Sequence, residues 1–136
     1  MTNKNGMNWI RPEKRLALYL RDGMACCYCG VGVETGIQLT LDHLQPREHG
    51  GSNAPTNLIT ACVHCNSARG QRSWKKFAER AGGRRYTHAI RRIELLRHRA
   101  FDVEFAKQLI AARGFTAAVY RAPKAVMSIA TSRRAA

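Results

Sequence analysis

Two Cys-x-x-Cys pairs, Cys26/Cys29 and Cys62/Cys65, stand with 32 residues between them, and no other feature restricts this chain as much. A pair at that spacing sets two thiolates around one ion, and a second pair closes the intervening segment onto the same tetrahedral site. The expectation is a structural Zn2+ with four sulfur ligands and no position open to substrate. Its binding then contributes to the folding of a small domain. Two unligated clusters of buried thiols are the alternative. Cys27 is left over as a free thiol. No leader is readable at the start of the sequence, so a cytoplasmic protein is expected, and in that reducing compartment paired motifs hold metal more often than they form disulfides.

The segment between the pairs has to be short elements and turns. IQLTLDHL (37–44) alternates as a strand with Ile37, Leu39, Leu41 and His43 on one face, and Pro46 stops it. Residues 46–56 hold Gly50, Gly51, Ser52, Asn53 and Pro55, a turn-rich loop too long for a simple hairpin connection. Leu58–Ala61 forms a second strand, and from Val63 the chain turns helical, giving a strand, strand, helix unit with zinc at its base. Upstream, residues 1–11 read as a loose arm with Trp9 and Ile10 tucked onto the core. Pro12 then opens a helix that carries Leu16, Tyr19 and Leu20, ends at Gly23 and backs the zinc site. Gly30 lets the first knuckle turn, and Tyr28 reads as packing. Downstream, Ser73 caps a helix that carries Trp74, Phe77, Ala78 and Ala81 and ends at Gly82-Gly83. A second helix spans Thr87–Ala100, with Ile90 and Ile93 inward and Arg91, Arg92, Arg97 and Arg99 outward, and Asp102 caps a third through Arg113, closed by Gly114.

At 136 residues the chain fits one domain. Its first 20 residues include Lys4, Arg11, Lys14 and Arg15 and no long apolar run, so neither a secretory leader nor a membrane span is readable there. The formal charge is +14, which favours a polyanionic partner. Residues 1–68 carry 6 Lys/Arg against 5 Asp/Glu, and residues 69–136 carry 17 against 4, so the basic charge follows the cysteine-bounded region. Residues 121–136, with Lys124, Arg133 and Arg134, read as a disordered basic tail.

Taken together, Arg21-Asp22-Gly23-x-x-Cys26-x-Tyr28-Cys29-Gly30, then Leu39-Thr40-x-Asp42-His43-x-x-Pro46, Gly50-Gly51, Asn57-Leu58 and Cys62-x-x-Cys65-Asn66-x-x-Arg69-Gly70 resemble the HNH endonuclease family in its zinc-clipped form. The resemblance runs from about Arg21 to Gly70 and implies an α+β fold: a small zinc-anchored ββα-metal core of the His-Me finger kind, flanked by basic α-helices. With the reading of the flanking segments, the expected organisation is the arm (1–11), the nuclease core (12–72), a basic helical extension (73–120) and the tail (121–136).

The resemblance also implies roles. Asp42 matches a metal-binding carboxylate and His43 a general base. Asn57 matches a residue that pins the loop by backbone hydrogen bonds and so orients the histidine. Asn66 falls on a final metal ligand that is commonly His. Mg2+ prefers hard oxygens and keeps several waters, so Asp42 and the Asn66 side-chain oxygen offer a two-point site; a neutral amide makes it weak, and Mn2+ serves as well. Arg69, three residues after Asn66 and on the same helical face, and Arg47 from the loop are candidate phosphate contacts, with Arg72, Arg91 and Arg92 extending the nucleic-acid surface. The implied reaction is hydrolysis of DNA phosphodiesters to 3′-hydroxyl and 5′-phosphate ends. The alternatives are a non-catalytic zinc-stabilised nucleic-acid-binding module and an accessory protein of a phage packaging or restriction assembly, part of a larger DNA-processing complex.

Overall fold

The computed structural model describes residues 9–81, 83 and 88–113, the Arg113 side chain excepted. Most of the expected N-terminal arm, Gly82, Thr87, Gly114 and the basic tail lie outside the described residues. The order of elements is α1 (Pro12–Arg21), β1 (Leu39–His43), β2 (Leu58–Cys62), α2 (Val63–Arg69), α3 (Trp74–Ala81), α4 (Ala89–Leu96) and α5 (Val103–Arg113), with short 3-10 turns at Val33–Thr35, Arg47–His49 and Pro55–Asn57. None of the described helices is long and apolar enough to cross a membrane.

β1 and β2 form an antiparallel hairpin in the register Leu39–Cys62, Leu41–Thr60, Asp42–Ile59 and His43–Leu58. Because side chains alternate along a strand, the hairpin has two faces, and each meets its own apolar cluster. Leu39, Leu41 and Leu58 pack with Ile10, Leu16, Ala17, Leu18, Tyr19, Met24 and Ala106. On the other face Ile59 and Ala61 pack with Cys26, Cys27, Tyr28, Leu44, Ala78, Ala89, Ile93 and Leu96. Every residue of β2 is buried, since it is covered from both sides.

The helices after residue 72 are therefore part of the core. α5 lies on α1, with Phe101, Val103, Leu109 and Ile110 closing the first cluster, and Phe105 N–H is capped by Asp102 Oδ1 at 2.9 Å. α3 and α4 pack on each other and cover the zinc-knuckle side with Trp74, Phe77, Ala81 and Ile90.

Several local expectations need correcting. β1 begins at Leu39, with Ile37 outside it, because Gly36 holds a left-handed turn (φ 87°) just before. α4 covers 89–96, less than the expected 87–100, since His88 stands in the left-handed region (φ 62°) and the chain turns again at Arg97. α1 backs the hairpin and α5 and takes no part in the zinc-knuckle cluster; packed from two sides, it buries Leu18 fully while Leu20 is only partly covered.

Candidate active site

The base of the site is the cysteine cluster. α2 starts directly at the end of β2, so Cys62 serves as its N-cap, with its sulfur accepting the Cys65 N–H at 3.3 Å. Cys26 Sγ accepts the Cys29 N–H at 3.5 Å in the same way. The two knuckles bring all four sulfurs within 4.8 Å of one another, with Cys29 and Cys62 at 3.9 Å. A tetrahedral site with Zn–S near 2.3 Å needs sulfur separations of about 3.8 Å, so spacing and donor type both fit zinc. Four thiolates at such distances repel unless a cation lies between them: hydrogen bonding from Cys65 brings Cys26 down to a pKa of about 5, while burial pushes Cys29 up to about 11. Cys27 faces away into the core, fully buried, and burial together with the charges of Asp22 and Cys26 holds its thiol well above the usual range.

An open cleft of about 330 Å³ runs beside β1, lined by Thr40, Leu41, Asp42, His43, Asn66 and Arg69 together with Trp9, Arg47, Glu48 and Gln71. Four consecutive strand residues line it. They lie along a strand edge, and among the described residues β1 pairs with a strand on one side only. Asp42 and His43 belong to opposite faces of a regular strand, yet both reach this edge.

The His43 ring is held in two ways. Its Nε2 lies 2.8 Å from Asn53 Oδ1, and the Trp9 ring lies against it with centroids 4.7 Å apart at 45°. Asn66 donates from Nδ2 to Thr40 Oγ1 at 2.8 Å and to the Leu41 carbonyl at 3.4 Å, and no hydrogen bond reaches its Oδ1 among the described residues.

Asp42 is 5% exposed and already engaged. Its Oδ1 accepts from Arg69 Nη1 at 2.7 Å and its Oδ2 from the Tyr28 hydroxyl at 2.6 Å. Burial lifts the Asp42 carboxyl above its usual range, with Tyr28 and Arg69 opposing the rise. Burial also keeps the Tyr28 phenol protonated, so it remains a donor. Tyr28 does pack, edge-on against Phe77, but it also has this polar role.

Arg69 does not face the cleft as a free cation. Its Nε donates to the Arg72 carbonyl, Nη1 to Asp42 and to the His43 carbonyl, and Nη2 to the Leu44 carbonyl, all within 2.9 Å, and it is 1% exposed. The helical face that carries Asn66 to the strand edge carries Arg69 there too, and at that depth a guanidinium needs internal acceptors. Among the other expected phosphate contacts, Arg47, Arg72 and Arg91 are exposed, while Arg92 is half-buried and donates to the Cys27 carbonyl at 3.3 Å. The structure brings Arg47 to the cleft with His43, Asp42 and Asn66, and leaves Arg72, Arg91 and Arg92 outside its lining.

Asn57 is buried behind the cleft and clamps the loop. Its Oδ1 accepts the Gln45 N–H at 2.9 Å, and its Nδ2 donates to the carbonyls of Gln45 (3.1 Å) and Ser52 (2.8 Å). Arg21 secures the end of the same loop, donating to the Pro55 and Leu58 carbonyls at 3.0 and 2.6 Å while paired with Asp22, whose Oδ2 accepts the Thr60 N–H. Sequence reasoning assigned no role to Trp9's contact, Asn53, Arg21 or Asp22. Arg21, Asp22 and Tyr28 stood in the RDG and YCG stretches that carry the resemblance; Asn53 had no signal beyond its place in a turn-rich loop.

A hairpin that runs without a break into a helix, clipped at the junction by four cysteines and with an Asp-His pair at the strand edge, defines a ββα-metal unit. Residues 26–72 match the family model of the HNH endonuclease domain. No curated protein and no solved structure matches the chain significantly.

Proposed function

We propose that the protein is an endonuclease that hydrolyses DNA phosphodiester bonds at the β1 edge. The observation that supports this most is the convergence of His43, Asp42 and Asn66 on one open cleft. In this reading His43 takes the proton from the attacking water. The new P–O bond forms as the P–O3′ bond breaks, and the departing oxygen is protonated from solvent to leave 3′-hydroxyl and 5′-phosphate ends. Asp42 and Asn66 would hold Mg2+ or Mn2+, which when bound supplies positive charge to offset the charge that develops on the phosphate and on the leaving oxygen. Their oxygens are of the right type. Asn66 Oδ1 is the open donor, whereas Asp42 shares its carboxylate with Arg69 and Tyr28, so the affinity is weak. In this reading Arg47, exposed at the rim, contacts the phosphate, and the four cysteines would hold Zn2+ as a structural ion.

A second reading, a zinc-stabilised nucleic-acid-binding module without catalysis, is favoured by one observation: both oxygens of the buried Asp42 already have partners. A supercoiled-plasmid assay separates the two. Relaxation is expected with Mg2+ or Mn2+, and His43→Ala is expected to slow it by about 10²–10⁴ while leaving DNA binding intact. Wild-type protein that binds DNA but cuts in neither metal supports the second reading. Equal cutting by His43→Ala removes His43 as the base.

A further inference from the structure

We infer that Asn53 is a positioning residue that selects the tautomer of His43, leaving Nδ1 as the nitrogen able to accept a proton; this rests on the reading of His43 as the base. Asn53 Oδ1 is 2.8 Å from His43 Nε2. A carbonyl oxygen can only accept, so Nε2 carries the proton, and the neutral ring keeps its lone pair on Nδ1. No hydrogen bond reaches Nδ1 among the described residues.

Asn53 is itself held in place. Asn57 brackets it, donating from Nδ2 to the Ser52 carbonyl at 2.8 Å and from its backbone N–H to the Ala54 carbonyl at 2.8 Å. Ser52 Oγ also accepts the Ala54 N–H at 3.2 Å. The acceptor is thus fixed by the loop, and Trp9 limits rotation of the ring from its face. Asn57 acts on His43 through this arrangement: it holds the loop that presents Asn53. A flipped amide would reverse the outcome, because an N–H2 group facing Nε2 forces the ring proton onto Nδ1 and removes the acceptor.

The tautomer is read directly from two-bond 1H–15N correlation spectra of protein labelled at histidine, with the His43 signals identified by their loss in His43→Gln. The Nε2–H pattern is expected in the wild type and in Asn53→Asp, which keeps an acceptor oxygen; a mixed pattern is expected in Asn53→Ala. In plasmid cleavage Asn53→Ala should lower kcat about 10–100-fold with little change in KM, and Asn53→Asp should restore most of it. The other histidine signals report whether each variant is folded. An Nδ1–H pattern in the wild type, or a wild-type pattern in Asn53→Ala, overturns the role of Asn53 whether or not the protein cuts DNA. Cleavage indifferent to His43→Ala overturns the base assignment instead, even if the tautomer follows Asn53.

Discussion

Arg69 uses four of its N–H groups on the interior, and only one of its partners is charged. The buried pair with Asp42 costs desolvation of both ions, so its main effect is that neither tolerates loss of the other. Arg69→Ala leaves a buried carboxylate without its counter-ion and three carbonyls without a donor. It should lose about 3–5 kcal/mol in urea unfolding. Arg69→Lys should recover little of this, since one ammonium cannot reach strand, loop and turn in the geometry of a planar fork. Tyr28→Phe deletes a single hydrogen bond to the same carboxylate and should cost about 1.5–3 kcal/mol. If Arg69→Ala melts like wild type, the pair is not what holds α2 to the strand edge.

At the scale of elements, the loop between the strands is long but tied at every stage. Arg69 from α2 holds its start at His43 and Leu44, and Asn57 holds Gln45 to Ser52. Arg21 from α1 and Arg97, just after α4, hold Pro55, Thr56 and Leu58. Gly51 is needed because the backbone passes so close to Gln45 that a Cβ would lie 1.7 Å from its carbonyl oxygen. Gly51→Ala therefore has to open the clamp. We expect it to raise amide exchange at Gln45 and Gly51 and to abolish cleavage, while the hairpin amides of β2 stay protected. Asn57→Ala should act similarly at about 1–3 kcal/mol, through a part-buried N–H and two carbonyls left without this partner. Unchanged exchange at Gln45 in either variant would show that the loop is held from elsewhere.

For the molecule as a whole, the basic helices are part of the core, and in the proposed function they also meet DNA. Residues after 72 supply Ala78, Ala89, Ile93, Leu96 and Ala106 to the two clusters, and burying each larger side chain is worth about 1.5–3 kcal/mol. A fragment ending at residue 72 is therefore expected not to fold even with zinc, as judged by near-UV circular dichroism. Charge tests have to respect that packing. Arg91→Glu, on an exposed residue, should weaken DNA binding and flatten its salt dependence by about 0.9 per lost phosphate contact without moving the melting temperature. Arg92→Glu should also lower the melting temperature, because Arg92 is half-buried and donates to the Cys27 carbonyl. Chelation of zinc, or Cys62→Ser, should unfold the chain, since the cluster joins β2, α2 and the first knuckle at one point. A variant lacking Cys62 that kept native stability and full zinc content would refute the four-sulfur site.

What the sequence determined by itself is the part set by local spacing. The two knuckles follow from paired cysteines with Gly30 behind the first, the turn-rich loop from Gly50 and Gly51, the hairpin from its alternation, and the helix starts from Pro12 and Asp102. These depend on neighbours in the chain, so the chain displays them. The pairing of Asp42 with Arg69 and Tyr28, the seat of His43 between Trp9 and Asn53, and the anchoring of the loop by Arg21 and Arg97 were decided only by the tertiary structure. Each joins residues far apart in sequence, and whether an arginine faces a phosphate or a buried carbonyl depends on which acceptors the fold leaves within its reach. The same holds for the helices after residue 72: their charge is plain in the composition, whereas their share in the core rests on the second face of a hairpin that only the folded chain has to cover.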